Sequence, residues 1–387
     1  MLNRNLPAAP LLQTVFALLV MCLGLGVGRP YAATAASNTA KGGDMVAPLG
    51  PPGSWRLVFR DEFDDTPGMS GRKNGLQASK WNCGWWSGPV SPGVGNIDAV
   101  TRPVQRPEIQ YYGPAGIIFP GDGSVHFRLQ KGVDDGGTHA GRSLESGQIT
   151  TAGLLAFNPA NAPVAKELRP YTVDGPSVLE IRGRFPGPHA DAGSYWAGYW
   201  MTNAGNYGGD PSGAGWPGGA QYSEEIDLVE FYNCGSLGSQ GRFHLHSATE
   251  YGGMSSVPED MQDVDMSAGY HVYTYAFGAD SVKLWVDGKP VPGVAPGAEL
   301  VRPQWQYPQY LILTFQAVEG AKYPTSATGE PNDMMVDYVR VWARDSGQAG
   351  RRSSRRPLIR GERPVSYGDE NSTPALSDQL LEAGGRG

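Results

Sequence analysis

Between Trp55 and Trp342 no long stretch carries the 3.6-residue apolar period and the caps of a helix. Short runs rich in β-branched and aromatic residues recur there instead: Ser124–Leu129, Val178–Phe185, Glu225–Phe231, Arg242–Ser247, His271–Phe277, Val282–Val286, Tyr310–Phe315 and Met335–Trp342. Gly, Pro, Asp or Asn bound most of them, as expected of strands ended by turns. The 55 glycines and 32 prolines supply that punctuation. Strands with no helices between them form antiparallel sheets, so the residues predict an all-β sandwich or barrel. With 40% apolar residues in a chain of 387, the core can be large.

The ends have a different composition. Arg4 precedes an apolar stretch from Leu11 to Val27, and small residues follow, with Ala33-Thr34-Ala35 as a cleavage site. That order reads as an export signal over residues 1–35, a retained membrane anchor being the alternative. Residues 36–50 form a polar lead-in, 51–345 the patterned domain, and 346–387 a polar tail with Arg351, Arg352, Arg355 and Arg356. The tail can bury little apolar surface and is expected to be disordered. Its basic residues are either simply solvated or a contact for an anionic cell surface. The net charge of −7 and the lack of a basic patch in the body argue against nucleic acid as a partner. No segment besides the first is apolar and long enough to cross a bilayer, and an extracellular monomer is expected. Cys22 would leave with the signal. Cys83 and Cys234 then remain as a candidate disulfide or as two buried thiols.

Chemistry concentrates in Glu225-Ile226-Asp227-Leu228-Val229-Glu230-Phe231. On a strand, Glu225 and Asp227 share a face, whereas Glu230, five positions on, points away. One extra residue near Leu228-Val229, a β-bulge, returns Glu230 to the common face. Like charges gathered in an apolar run raise one another's pKa, which serves no scaffold. Glycoside cleavage uses such a group: one carboxylate attacks the anomeric carbon and one carboxyl protonates the departing oxygen. An acidic edge strand and a calcium site are the competing readings.

This run, with Trp216-Pro217 ahead of it, resembles the Glu-x-Asp-x-x-Glu signature of glycoside hydrolase family 16, laminarinase-like branch. Further segments resemble the family in order and spacing: Val58-Phe59-Arg60-Asp61-Glu62-Phe63-Asp64, Glu108-Ile109-Gln110-Tyr111-Tyr112, Leu179-Glu180-Ile181-Arg182, Tyr195 to Met201, Phe243-His244-Leu245-His246, Trp285-Val286-Asp287-Gly288 and Val336 to Val341. The resemblance implies a β-jelly-roll sandwich of two antiparallel sheets with a concave substrate cleft. It implies Glu225 as nucleophile, Glu230 as acid/base and Asp227 as assisting acid. It places Trp196, Trp200, Trp216 and Tyr111 against sugars, and His246 near Glu230 or the substrate. Arg182 either binds substrate or neutralises the acids. Catalysis would need no cofactor. A structural Ca²⁺ at Glu62, Gly123 and Asp337 would suit a hard, oxygen-seeking ion, an absence of any ion being the alternative.

The expected activity is endo-acting, retaining hydrolysis of β-1,3-glucan, with a polysaccharide as partner. A β-galactan hydrolase and a non-catalytic glucan-binding protein are the alternatives. Departures from the family pattern bear on the substrate: Glu224 and Val229 flank the acids, Arg106-Pro107 precedes Glu108, Trp81 to Trp86 is unusually aromatic, and the run Tyr275-Ala276-Phe277-Gly278 lacks the usual tryptophan.

Overall fold

The structure, a computed structural model, describes residues 47–64, 72–73, 75–84, 97, 109–132, 142–152, 154–158, 172–186, 195–203, 225–232, 241–247, 250–256, 264–292, 309–317 and 333–345. The expected signal segment, Trp216, Cys234 and the expected polar tail lie outside them. The chain divides into two units, Met1–Asp345 and Ser346–Gly387. Among the described residues there is no α-helix, only the 3₁₀ turn Pro114–Gly116. No helix of the described residues is long and apolar enough to cross a membrane.

Two sheets carry the first unit. The first runs Lys289–Pro290, Ser281–Val286, His271–Gly278, Ser177–Arg184, Met334–Arg344, Val125–Phe127, Ile117–Ile118, with Trp55–Asp61 also paired to Met334–Arg344. The second runs Thr172–Asp174, Ala156–Asn158, Gln309–Ala317, Tyr195–Asn203, Glu225–Tyr232, Gly241–Ser247, Glu250–Ser256. Gln148–Thr150 also joins Gln309–Ala317 and carries Asn82–Cys83 beside it. Neighbours far apart in sequence give the crossed-over order of a jelly roll. All pairings in the two sheets are antiparallel except Ala156–Asn158 with Thr172–Asp174.

Alternation along the strands decides what lies between the sheets. Leu179 and Ile181 of one sheet and Ala197, Tyr199, Met201, Ile226, Leu311, Leu313 and Phe315 of the other are fully or almost fully buried in one shared core. Aromatic rings tie the layers together. Phe185 stacks on Phe231 with centroids 5.4 Å apart, and Tyr199 meets Tyr273 edge-on at 5.8 Å. Room for the Tyr199 ring comes from Gly183, where a Cβ would lie 2.0 Å from the Tyr199 hydroxyl. Each such buried aromatic contributes on the order of 2–3 kcal/mol.

The same alternation moves Arg182 away from the acids. Ile181 takes the core, so Arg182 points out from the first sheet, where it pairs with Asp337 and lies 4.6 Å over the Tyr270 ring. The expectation that it binds substrate or neutralises the acids is corrected accordingly.

Candidate active site

The acid strand Glu225–Tyr232 is held on both edges. Against Tyr195–Asn203, Val229 pairs with Tyr199 and Asp227 with Trp200, so two residues advance on the acid strand for one on its neighbour. Against Gly241–Ser247, Asp227 pairs with His244 and Glu230 with Arg242. Leu228 is the extra residue of a bulge. The local sequence requires it: Ile226, Leu228, Val229 and Phe231 are all wholly buried in the core. A regular strand would drive Leu228 or Val229 out of it, at about 1.5–3 kcal/mol for the side chain exposed. With the bulge, Glu225, Asp227 and Glu230 all face away from the core on one side of the sheet.

Asp227 and Glu230 are each 3% exposed, and Glu225 is half-buried. Burial first, then the charges of Glu230 and Glu225, push the Asp227 carboxyl well above the usual carboxylate range. Its hydrogen bond to Glu225 acts in the same direction, so the protonated Asp227 is the donor and Glu225 the acceptor. The group can therefore present an accepting carboxylate at Glu225 beside a neutral neighbour.

Register defines the surrounding floor. Trp196, Gly198, Trp200 and Thr202 occupy the acid-bearing face of the adjacent strand, and Tyr310, Ile312, Thr314 and Gln316 that of the next. Gly198 stands between Glu230 and Thr314 and leaves that part of the floor without a side chain. Trp196 is half-buried and Trp200 6% exposed. Thr314 donates to the Gln148 amide oxygen at 2.9 Å. The Gln148 Nε2 donor and the Gln316 Oε1 acceptor are buried with no hydrogen-bond partner. Buried amide groups left unpaired in this way are unusual.

Of the other expected residues, His246 lies beside the acid strand, and Tyr111 and Cys83 lie away from it. His246 is the cross-strand partner of Glu225, two ladder positions from Asp227's partner His244, and not of Glu230. Arg242 holds the position opposite Glu230. Sequence reading missed it, because the bulge shifts the pairing by one residue. Tyr111 is 2% exposed with its hydroxyl bonded to Glu145 at 3.0 Å, so its ring offers no stacking face. Cys83 is buried in the core on Asn82–Cys83, at the far side of the second sheet from the end of the acid strand.

The calcium positions do not present an open oxygen set. Arg340 donates to both Glu62 oxygens, at 2.8 and 2.7 Å, and Arg182 is bonded to Asp337. Two guanidinium groups thus take the carboxylates a hard cation would need. Among the described residues no group of three or more His, Cys, Asp or Glu could hold a metal ion.

Comparison with known proteins bears on the fold. No family model matches the chain, and neither does any curated protein. Among solved structures, the endo-β-1,3-glucanase from Pyrococcus furiosus is 20% identical, covering 75% of this chain and 94% of that one, with a TM-score of 0.50. SCLam, a non-specific endo-β-1,3(4)-glucanase from family GH16, is 20% identical over 77% of this chain and 94% of its own, also at 0.50. A SCLam variant co-crystallised with 1,3-β-D-cellobiosyl-cellobiose is 22% identical over 77% and 98%, again at 0.50. At such identities the likeness is one of fold: an all-β jelly-roll sandwich shared with family 16 laminarinase-type structures.

Proposed function

We propose that the chain is an exported, endo-acting glycoside hydrolase that cleaves β-1,3-glucan with retention of configuration. The observation that carries this reading is the bulge at Leu228, which aligns Glu225, Asp227 and Glu230 on one face. The partly exposed Trp196 ring, on the acid-bearing face, offers a flat surface to a sugar. Two of the enzymes of like fold are a β-1,3- and a β-1,3(4)-glucanase, which favours glucan as the substrate class. Export rests on the apolar segment and small-residue tract of residues 1–35.

In the first step a Glu225 oxygen bonds to the anomeric carbon. The bond to the glycosidic oxygen breaks, and the Glu230 proton passes to that oxygen. In the second, water attacks the same carbon, Glu230 takes its proton and Glu225 leaves. Asp227, kept protonated, adds no negative charge beside Glu225 and orients it through their hydrogen bond.

The test is release of reducing ends from laminarin, with lichenan, agarose, carrageenan and galactan in parallel. Glu225→Ala should lower turnover on the order of 10⁴-fold or more. Added azide should restore slow turnover and give the inverted glycosyl azide. A Glu225→Ala protein as active as its parent would sink the reading. Glucan binding by a parent that cleaves none of the five would make the chain a binding protein.

A further inference from the structure

Three tyrosines, Tyr199, Tyr273 and Tyr275, lie wholly buried in the core between the sheets. The hydroxyls of Tyr199 and Tyr273 have no hydrogen-bond partner. That of Tyr275 crosses from the first sheet to the second and donates to the carbonyl oxygen of Leu228 at 2.9 Å. Leu228 is the residue that neither neighbouring strand pairs. A bulge leaves its extra residue outside the ladder, and a buried backbone carbonyl without a donor forfeits about 1–3 kcal/mol. Of these three hydroxyls, the partnered one therefore sits on the residue that both ladders leave unpaired.

We infer that Tyr275 is a positioning residue: its hydroxyl holds the Leu228 bulge from across the core and thereby keeps Glu230 on the face of Glu225 and Asp227. The inference rests on the hydrolase reading for its consequence in catalysis, and on the geometry alone for its consequence in structure. Burial keeps the Tyr275 hydroxyl protonated far into the alkaline range, so the donor is constant over any working pH. Phe231 fixes the residue after Glu230 by stacking on Phe185. The bulge is thus anchored at its crest by Tyr275 and at its exit by Phe231. Without the crest bond, the segment Leu228-Val229 can relax toward a regular register that swings Glu230 away from the other two acids.

Tyr275→Phe removes the hydroxyl and little else. Tyr273→Phe is the matched control, since it deletes a hydroxyl that bonds nothing. On laminarin, Tyr275→Phe should lower kcat about 10- to 100-fold with KM within about twofold, as expected of a misplaced acid rather than a lost binding contact. On an aryl β-glucoside with a good leaving group the loss should be at least about fivefold smaller, because that substrate needs little protonation from Glu230. Tyr273→Phe should leave both substrates within twofold. Equal losses on both substrates in Tyr275→Phe, or no loss, would overturn the inference.

A second measurement does not depend on turnover. Carboxyl ¹³C titration of Asp227 should move toward the ordinary aspartate range in Tyr275→Phe, since Glu230 would have withdrawn, and stay put in Tyr273→Phe. An unmoved Asp227 titration overturns the inference even where the parent cleaves no glycan, whereas a parent without activity counts against the hydrolase reading alone. If Tyr275→Phe accumulates poorly, the same titration is made in the Tyr273→Phe background, where one unpaired hydroxyl has already been removed.

Discussion

On the outer face of the first sheet, Glu62, Asp333 and Asp337 each meet an arginine: Arg340, Arg128 and Arg182. On the acid-bearing face of the second sheet, the groups acting on Asp227 are two further carboxylates and its own burial. The consequences run in opposite directions. Hydrogen bonds from His126 and Arg128 outweigh burial at Asp333 and hold it below the ordinary carboxylate range, while Asp227 is driven far above it. Asp337 lies between these cases, raised by burial and by Asp64 and Glu62 despite Arg182. By linkage, Asp333 stabilises the fold above the ordinary aspartate range, and loses that contribution as pH falls through its own lower value. Asp227 keeps in the folded state a proton that the unfolded chain gives up, so it increasingly opposes folding as pH rises above the ordinary aspartate range. One face spends its charge on holding the sheet together, and the other holds like charges together at the expense of stability. Such an expense is expected of a reacting site.

The contrast can be broken at several points. The largest effect is expected at the acid/base: Glu230→Gln should reduce kcat on laminarin on the order of 10³-fold, while Glu62→Gln on the other face should leave it within about twofold. A comparable loss in Glu62→Gln would mean that the two faces are not functionally separate. Next is stability at the outer face. Arg340→Met strands Glu62 and uncovers the Tyr338 ring, over which the guanidinium lies at 3.8 Å. Urea unfolding should show a loss of about 1–2 kcal/mol, with kcat unaltered. Smaller, and of opposite sign, is Asp227→Asn. The amide can still donate to Glu225 but carries no titrating proton. The variant should melt about 2 °C above the parent at pH 7, by roughly 1 kcal/mol, and nearly level with it at pH 4, while kcat falls. A variant less stable than its parent at both pH values would mean that the Asp227 hydrogen bond outweighs its burial. The smallest effect expected is none: EDTA should leave the melting temperature unchanged, because arginines already satisfy Glu62 and Asp337. A drop of several degrees would show that a cation displaces them.

Much of this was legible before any fold was known. The pattern Ile226-Asp227-Leu228-Val229-Glu230-Phe231 contains two consecutive apolar residues in an otherwise alternating strand, and only a bulge buries both. The residues alone therefore implied both the bulge and the common face of the acids. Strand positions were equally plain: the expected run His271–Phe277 corresponds to His271–Gly278, and Val282–Val286 to Ser281–Val286. Partnership was not legible. Arg182 looked like a substrate contact or a cation for the acid group, yet the parity set by Ile181 sends it to the opposite side of the sandwich. Tyr111 looked like a stacking surface, yet Glu145 holds it inside.

By itself, then, the sequence determined which residues alternate, where that alternation fails and hence which acids share a face. These are consequences of local geometry and of the free energy of burying apolar side chains, both properties of a few adjacent residues. Only the tertiary structure decided who answers whom across a gap: Arg340 for Glu62, Arg182 for Asp337, and a tyrosine from the other sheet for the carbonyl at the crest of the bulge. Those choices depend on strand order, register and the stacking of the sheets. They join positions tens to hundreds of residues apart, and no local pattern encodes them.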